Sequence, residues 1–289
     1  MSQSRYDIFE SGNGAGVLLS HGITGAPAEM KPLVRKLAAA GFTVSCPALA
    51  GHCSTLRELK RTRWTDWYAS LEDALGELQQ RCGSVFVGGL SMGALLALKL
   101  AADYPQTVSG VATLSATFFY DGWNVPRFRQ RYLLPLALHS PLRFLYSWHE
   151  PAPYGIKDER IRNIIAAVYA SDTAQMPEKY GYSEFPGVTI RETFRLIKAV
   201  KGDLGRVAAP LLIVHATEDD MATLENARFL ASRVASTDVE TFYVDDTYHV
   251  LTLDRRKHDV ADRVTEFFLD RQDLPDTDLA REATHANDR

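Results

Sequence analysis

Short apolar runs alternate with segments of helical periodicity along most of the chain, and this alternation limits the folds open to it. Candidates for buried strands lie at residues 16–20, 42–46, 84–90, 109–114, 210–215 and 239–244. Helical patterns lie between most of them, at the length of about 10 to 15 residues that is typical of βαβ units. Such a chain forms a parallel sheet covered by helices on both faces. The sequence therefore predicts an α/β fold with a mostly parallel central sheet.

One long segment, from about residue 118 to 204, interrupts the alternation. It shows no convincing strand, is rich in aromatic and leucine side chains, and is divided into short helical pieces by prolines 126, 135, 141, 151 and 153. Two interpretations remain open at this point. The segment is either an additional helical layer that only adds stability or a cap over an active site.

These patterns suggest a division of the chain. We expect residues 1–116 and 205–270 to form the core, and residues 117–204 to form a helical insertion. Residues 271–289 are polar and of mixed charge, so we expect a tail without stable structure.

Residues 89–93 read Gly-Leu-Ser-Met-Gly and match the pattern Gly-x-Ser-x-Gly. The motif follows the strand candidate at 84–90 and precedes a helical pattern that begins near Met92. A turn this tight strains the backbone of the serine, and the flanking glycines allow the strand and the helix to approach without Cβ clashes. The context predicts that Ser91 is an exposed nucleophile at the end of the sheet.

A serine hydroxyl needs a base within hydrogen-bonding distance, and the base needs an orienting group. In folds with this serine turn, the chain order is serine, acid, histidine. His249 follows the last strand candidate and is the predicted base. Residues 218–220 read Glu-Asp-Asp after the strand candidate at 210–215; Asp219 is the preferred acid, and Glu218 and Asp220 remain alternatives.

An oxyanion hole requires two backbone N–H groups directed at the developing negative charge. One donor is expected from Met92, the residue after the nucleophile. The other is expected from the loop at 21–25, His-Gly-Ile-Thr-Gly, in which Ile23 is the candidate donor. We expect His21 and Gly22 of this loop to contact the substrate, together with Trp123 and Trp148 of the insertion.

Composition narrows the function further. The net charge of −4 and the absence of a basic cluster argue against a nucleic-acid partner. No run of 18 apolar residues occurs, so we expect no membrane span. The three cysteines are too few for a disulfide framework and there is no evident secretion signal, so a cytoplasmic location is expected. Neither a metal nor an organic cofactor is needed.

The chain resembles small bacterial carboxylesterases, which are close to bacterial monoacylglycerol lipases within the α/β-hydrolase superfamily. The resemblance covers about residues 16–269 apart from the insertion, and it is carried by residues 21–25, Gly51-His52, Trp64 to Trp67, 89–93 and the run His-Val-Leu-Thr-Leu-Asp at 249–254. It implies that Asp219 is the acid, that Ile23 and Met92 are the oxyanion donors and that the insertion is a cap. The insertion is longer than the family's small cap, and Cys53 stands where glycine is usual; both departures concern substrate choice.

The expected activity is hydrolysis of carboxylic esters with an apolar acyl group through an acyl-enzyme on Ser91. The same triad would also serve a thioesterase or an acyltransferase acting on a carrier-bound chain, for which an acyl carrier protein is a candidate partner. A ligand-binding protein on the same scaffold is the alternative outside the enzymes, because fold alone does not decide function. The oligomeric state does not follow from the sequence.

Overall fold

A seven-stranded sheet forms the centre of the molecule in a computed structural model that describes residues 4–12, 14–125, 134–170 and 181–272. The strand order is β1-β3-β2-β4-β5-β8-β9, and all pairings are parallel except that of β1 with β3. The strands of this sheet are β1 Ile8–Glu10, β2 Gly16–Ser20, β3 Thr43–Cys46, β4 Val85–Leu90, β5 Val108–Leu114, β8 Leu211–Ala216 and β9 Val239–Val244.

Nine α-helices lie within the described residues. They are α1 Lys31–Ala39, α2 Leu56–Leu59, α3 Trp64–Gln79, α4 Met92–Asp103, α5 Leu134–His139, α6 Glu159–Ala170, α7 Gly187–Asp203, α8 Glu225–Ala231 and α9 Lys257–Gln272. Three 3-10 turns accompany them at Pro27–Met30, Pro141–Phe144 and Leu204–Arg206.

Two apolar cores cover the two faces of the sheet. Because successive side chains of a strand point to opposite faces, Leu18 of β2 joins one core and its neighbours Val17 and Leu19 join the other. The first core contains α3, α4, α7 and α8, and the second contains α1 and α9. The predicted α/β architecture, a mostly parallel sheet with helices on both faces, is confirmed.

The prediction that residues 118–204 contain no strand is wrong. Strand β6, Ser147–His149, pairs antiparallel with β7, Glu184–Pro186, as a separate two-stranded sheet. Strands of three residues are too short to show an alternating pattern, and the two partners are far apart in sequence. The edge strand β1 was not predicted either, because it also has only three residues.

The insertion between β5 and β8 is not detached from the core. Leu196, Ile197 and Val200 of α7 are buried in the same core as α4. The exact boundary at residue 204 and the role of the insertion as a cap therefore stay predictions. The predicted start of the tail at residue 271 is wrong, because Arg271 and Gln272 complete α9; the rest of the predicted tail lies outside the described residues.

Two glycines permit the close packing of β4, α4 and β2. A Cβ on Gly89 would lie 2.3 Å from the backbone carbon of Gly93. A Cβ on Gly93 would lie 2.3 Å from the backbone oxygen of Ser20. Since backbone atoms cannot yield as side chains can, only glycine is compatible with this crossing.

We expect Gly93→Ala to destabilise the protein by about 1–3 kcal/mol, because the added methyl group overpacks against backbone of β2. Gly76→Ala is a matched control within a helix, since a Cβ there meets nothing within 4 Å. That control should stabilise the protein by about 0.5–1 kcal/mol. Urea unfolding of both variants measures the difference, and an unchanged midpoint for Gly93→Ala would contradict the packing argument.

Candidate active site

Three loops meet at the carboxyl edge of the parallel sheet. Ser91 follows β4, Asp219 follows β8 and His249 follows β9. In open parallel sheets the carboxyl ends of the strands lie on one edge, where ligands bind. The fold therefore brings together residues that are 30 and 158 positions apart in the sequence.

Ser91 occupies the turn between β4 and α4 with a strained backbone. Its φ of 55° and ψ of −112° lie outside the regions that non-glycine residues favour. Such a conformation costs about 1–3 kcal/mol and persists only when the surroundings impose it. Here its N–H donates to the oxygen of Leu114 at 2.8 Å. The close packing of β4, α4 and β2 at Gly89 and Gly93 restricts the turn further.

His249 lies between the serine and an acid. Its Nε2 is 2.9 Å from the Oγ of Ser91, and its Nδ1 is 2.9 Å from the Oδ2 of Asp219. Nδ1–H donates to the carboxylate, which leaves the lone pair of Nε2 to accept the serine hydroxyl. This tautomer is the one that a general base requires.

Asp219 is the acid in contact with the imidazole. Its Oδ1 accepts the N–H groups of Met221 and Ala222 at 2.9 and 2.8 Å, which orients the carboxylate. Asp220 instead accepts the backbone N–H of His249 at 3.4 Å, and Glu218 is exposed and paired with Lys157. The three contiguous acids thus have three different environments.

The carboxylates around His249 favour its charged form. Burial alone would lower the pKa of the imidazole, but the bonded Asp219, with Asp220 and Glu150, raises the pKa of His249 to about 9. Burial opposes ionisation of Asp219 as well, yet the adjacent imidazole and hydrogen bonds keep the pKa of this carboxyl below its usual value. Burial raises the pKa of Asp220.

The expected oxyanion donors flank the serine. Met92 is the first residue of α4, where backbone N–H groups have no acceptor within the helix. Ile23 lies in a turn that is closed by the Gly25 N–H bonding to the oxygen of Gly22 at 3.2 Å. A Cβ on Gly22 would lie 3.8 Å from the Cβ of Ser91, so this turn lies beside Ser91. The roles of Ile23 and Met92 stay predictions.

Glu29 bonds to the turn that contains Gly22 and Ile23. Its Oε2 accepts the N–H of Gly22 at 3.3 Å, and a Cβ on Gly25 would lie 2.3 Å from that oxygen. Burial raises the pKa of Glu29 to about 7, against the opposing effects of the Gly22 N–H and of His249. The contacts indicate that this carboxyl restricts the conformation of the loop at 21–25.

A cavity of about 820 Å³ opens onto Ser91 and His249. Its walls are mainly apolar and come from the core loops and from the insertion. No lysine or arginine occurs among the described residues that line it. The aromatic lining residues are Tyr120, Tyr146, Trp148, Tyr154, Tyr169, Phe185 and Phe194.

Glu150 is the acidic residue that the insertion contributes to this wall. Burial, followed by repulsion from Asp220, raises the pKa of Glu150 to about 8. Because Glu29 lies in the same wall, the cavity combines an apolar surface with two carboxyl groups near the imidazole.

The four residues expected to contact substrate have different surroundings. Gly22 and Trp148 line the cavity, whereas His21 and Trp123 do not. His21 is buried, with Nε2 accepting the N–H of Leu49 at 3.2 Å, and burial lowers its pKa to about 4. It therefore joins two loops as a neutral ring. Trp123 is 60% exposed and donates to the oxygen of Glu218.

Glu29 and Glu150 were not anticipated from the sequence. Each is an isolated acid in its segment, and no spacing distinguishes it from a solvated surface residue. Glu29 lies in the 3-10 turn Pro27–Met30 of the core and Glu150 lies in the insertion, and only the folded chain brings both to one cavity. Within the described part of the chain, no group of three or more His, Cys, Asp or Glu residues has an arrangement that could hold a metal ion.

Comparisons with known proteins identify relatives of this chain. The family described as serine aminopeptidase, S33, matches residues 13–256. The chain is 31% identical to a thermostable monoacylglycerol lipase of Bacillus sp. (strain H-257) over 90% of this chain and 93% of that protein. It is 26% identical to a carboxylesterase of Bacillus subtilis (strain 168), over 90% and 94% of the two chains.

A solved structure from work on LipS and LipT, two metagenome-derived lipolytic enzymes, has a similar fold. It superimposes with a TM-score of 0.76 at 27% sequence identity, covering 91% of this chain and 97% of the other.

We expect Asp219→Asn to lower kcat by about 10⁴-fold, because an amide cannot hold the required tautomer of His249. Asp220→Asn retains an oxygen that can accept the N–H of His249, so we expect kcat to fall by less than about tenfold. Steady-state hydrolysis of a p-nitrophenyl ester compares the two variants. Equal losses would show that the structure misassigns the two acids.

The pH dependence of kcat/KM provides an independent measurement. If His249 is the base, as predicted, only its neutral imidazole can take the proton, so activity should rise as His249 loses its proton. Because the pKa of His249 is raised from 6.5 to about 9, we expect the ascending limb on the alkaline side of neutrality. Asp220→Asn removes a charge that raises this pKa, so its limb should move to lower pH. A limb at the ordinary histidine value in both proteins would contradict this account.

Proposed function

The chain belongs to the serine aminopeptidase, S33, family and is a carboxylic ester hydrolase, and from this premise we propose that Ser91, His249 and Asp219 form its catalytic triad. The observation that carries the proposal is the pair of 2.9 Å contacts that His249 makes, with Ser91 through Nε2 and with Asp219 through Nδ1. Only this serine has a base, an oriented acid and an apolar cavity in one place among the described residues.

Catalysis then follows two acyl-transfer steps. The Oγ of Ser91 attacks the ester carbonyl while Nε2 of His249 takes its proton, and the N–H groups of Ile23 and Met92 bind the oxyanion. The imidazolium gives the proton to the leaving alkoxide as the ester C–O bond breaks, which leaves an acyl-enzyme. In the second step, water attacks the carbonyl of the acyl-enzyme while His249 takes a proton from it. The imidazolium then returns the proton to Ser91 as the acyl C–O bond breaks, and the carboxylic acid is released. Asp219 stabilises the imidazolium in both steps.

The acyl group is apolar. Aliphatic and aromatic side chains of the insertion form most of the cavity wall, and such walls hold apolar ligands with few polar anchors. Leu136 and Leu142 line the cavity and are also largely exposed, so apolar surface continues outwards from it. A single acyl chain can extend along this surface.

The alcohol group is small and hydroxylated, as in a monoacylglycerol. Glu29 and Glu150 contribute carboxyl groups to a mainly apolar wall. Glu29 accepts the Gly22 N–H through Oε2, and the remaining polar capacity of the two carboxyls can bind hydroxyl groups of a ligand. With their raised pKa values, both carboxyls can donate as well as accept hydrogen bonds near neutral pH. The similarity to a monoacylglycerol lipase supports the same substrate class.

Two expectations from the sequence are not decided by these observations. The cytoplasmic location and an acyl carrier protein partner stay predictions. Among the described helices, none has the length and apolarity needed to cross a membrane.

A panel of substrates tests the function. We expect hydrolysis of p-nitrophenyl esters that improves from acetate to medium acyl chains, and faster turnover of a monoacylglycerol than of the methyl ester of the same acid. Ser91→Ala should lower kcat by about 10⁶-fold, because the nucleophile is removed. A fluorophosphonate probe should label the native protein and not this variant.

Glu150→Gln tests recognition of the alcohol group independently of the acyl-transfer steps. It should reduce the preference for the monoacylglycerol over the methyl ester while leaving p-nitrophenyl ester hydrolysis nearly unchanged at pH 7. The thioester of the same acid is the comparison for a thioesterase. Faster thioester cleavage, or labelling of Ser91→Ala, would reject the proposal.

A further inference from the structure

Asp254 is a buried carboxylate to which the structure directs an unusual number of donors. It lies five positions after His249, at the end of the His-Val-Leu-Thr-Leu-Asp run, and is 0% exposed. Two donors come from the loop that carries the base: the N–H of Tyr248 at 2.8 Å and the hydroxyl of Thr247 at 3.0 Å. Two others come from the insertion: the N–H groups of Lys157 and Asp158, at 2.9 and 2.8 Å.

Additional contacts join the same two segments. The N–H of Val250 donates to the oxygen of Gly155 at 2.8 Å. Gly155 has a φ of +68°, and a Cβ on it would lie 3.2 Å from the Cβ of His249. The insertion therefore passes directly against the backbone of the base, at a residue whose conformation favours glycine.

The segment continues into a wall of the substrate cavity. The side chain of Asp158 accepts the N–H of Ile161 at 3.1 Å at the start of α6. Ile161, Ile165 and Tyr169 of α6 line the cavity. Asp254 therefore bonds directly to Asp158, at the start of the helix that lines the cavity, and to Tyr248, in the loop that carries His249.

We propose that Asp254 is a positioning residue that holds His249 in hydrogen-bonding distance of Ser91 by binding the histidine loop and the start of α6 to one carboxylate. A carboxylate accepts several hydrogen bonds at once, and those to a charged acceptor are the stronger kind. An uncharged amide at this position would direct its own N–H groups at donors and would release one of the two segments. The proposal rests on the proposed role of His249 as the base.

Asp254→Asn tests the proposal against a purely structural role. We expect kcat to fall by about 10- to 100-fold, because a displacement of the base by about 1 Å has effects of that size. KM for a short p-nitrophenyl ester should change by less than about threefold, since all the residues that line the cavity are retained in the variant. The downfield NMR signal of the His249 Nδ1 proton should weaken or move in the folded variant.

Lys157→Gln is the matched control. It removes the ion pairs of the Lys157 side chain with Glu218 and Asp246 but retains the backbone N–H that binds Asp254. Because these ion pairs lie at the surface, we expect kcat within about twofold of the native value. A larger loss here than in Asp254→Asn would assign the link to the side-chain charges and overturn the proposal.

Thr247→Val keeps the test decisive if Asp254→Asn does not fold. It removes a single buried donor to Asp254 and preserves the shape of the side chain. We expect kcat to fall by about threefold or more with an unchanged KM. A native kcat and a native Nδ1 signal in whichever variant folds would overturn the proposal. Failure of the proposed function appears separately, as absence of probe labelling in the native protein.

Discussion

The contact between Nε2 of His249 and Oγ of Ser91 depends on several packing arrangements that are far apart in the sequence. Close approach of α4 to β4 at Gly89 and to β2 at Gly93 fixes the strained serine turn. The N–H groups of Met221 and Ala222 orient the Asp219 carboxylate that bonds to the imidazole. None of these arrangements takes part in bond making or breaking. Together they place a hydroxyl and an imidazole at 2.9 Å without movement at the moment of reaction.

Electrostatics around the base follow from the same loops. Asp219, Asp220 and Glu150 act on one imidazole that borders a largely apolar cavity, and all three raise the pKa of His249. Because Asp219, Asp220 and His249 are buried, these interactions are stronger than they would be at the surface. The arrangement suits a reaction in which the imidazole gains a proton in the transition state. The protonation of His249 therefore depends on carboxyl groups from both the core and the insertion.

The insertion is integrated with the catalytic edge. One of its segments contacts the backbone beside His249 through Gly155, and α7 shares a core with α4. Apolar residues of α6 and of the β6–β7 pair line the cavity above the serine. Consequently the part of the chain with the least regular sequence pattern forms most of the cavity wall, while the sheet determines the position of Ser91.

The sequence by itself determined the strands of the parallel sheet and the order of serine, acid and histidine, because buried strands and a strand–turn–helix serine leave local patterns of apolar residues and glycines. It narrowed the acid to residues 218–220 and, through a resemblance, to Asp219. Only the tertiary structure decided which acid contacts His249, that Trp148 and Gly22 line the cavity whereas Trp123 and His21 do not, that Glu29 and Glu150 lie in its wall, and that Asp254 binds the loop of His249. These contacts join segments distant in sequence, and an isolated carboxyl has no local signal that separates a buried partner from a solvated surface group.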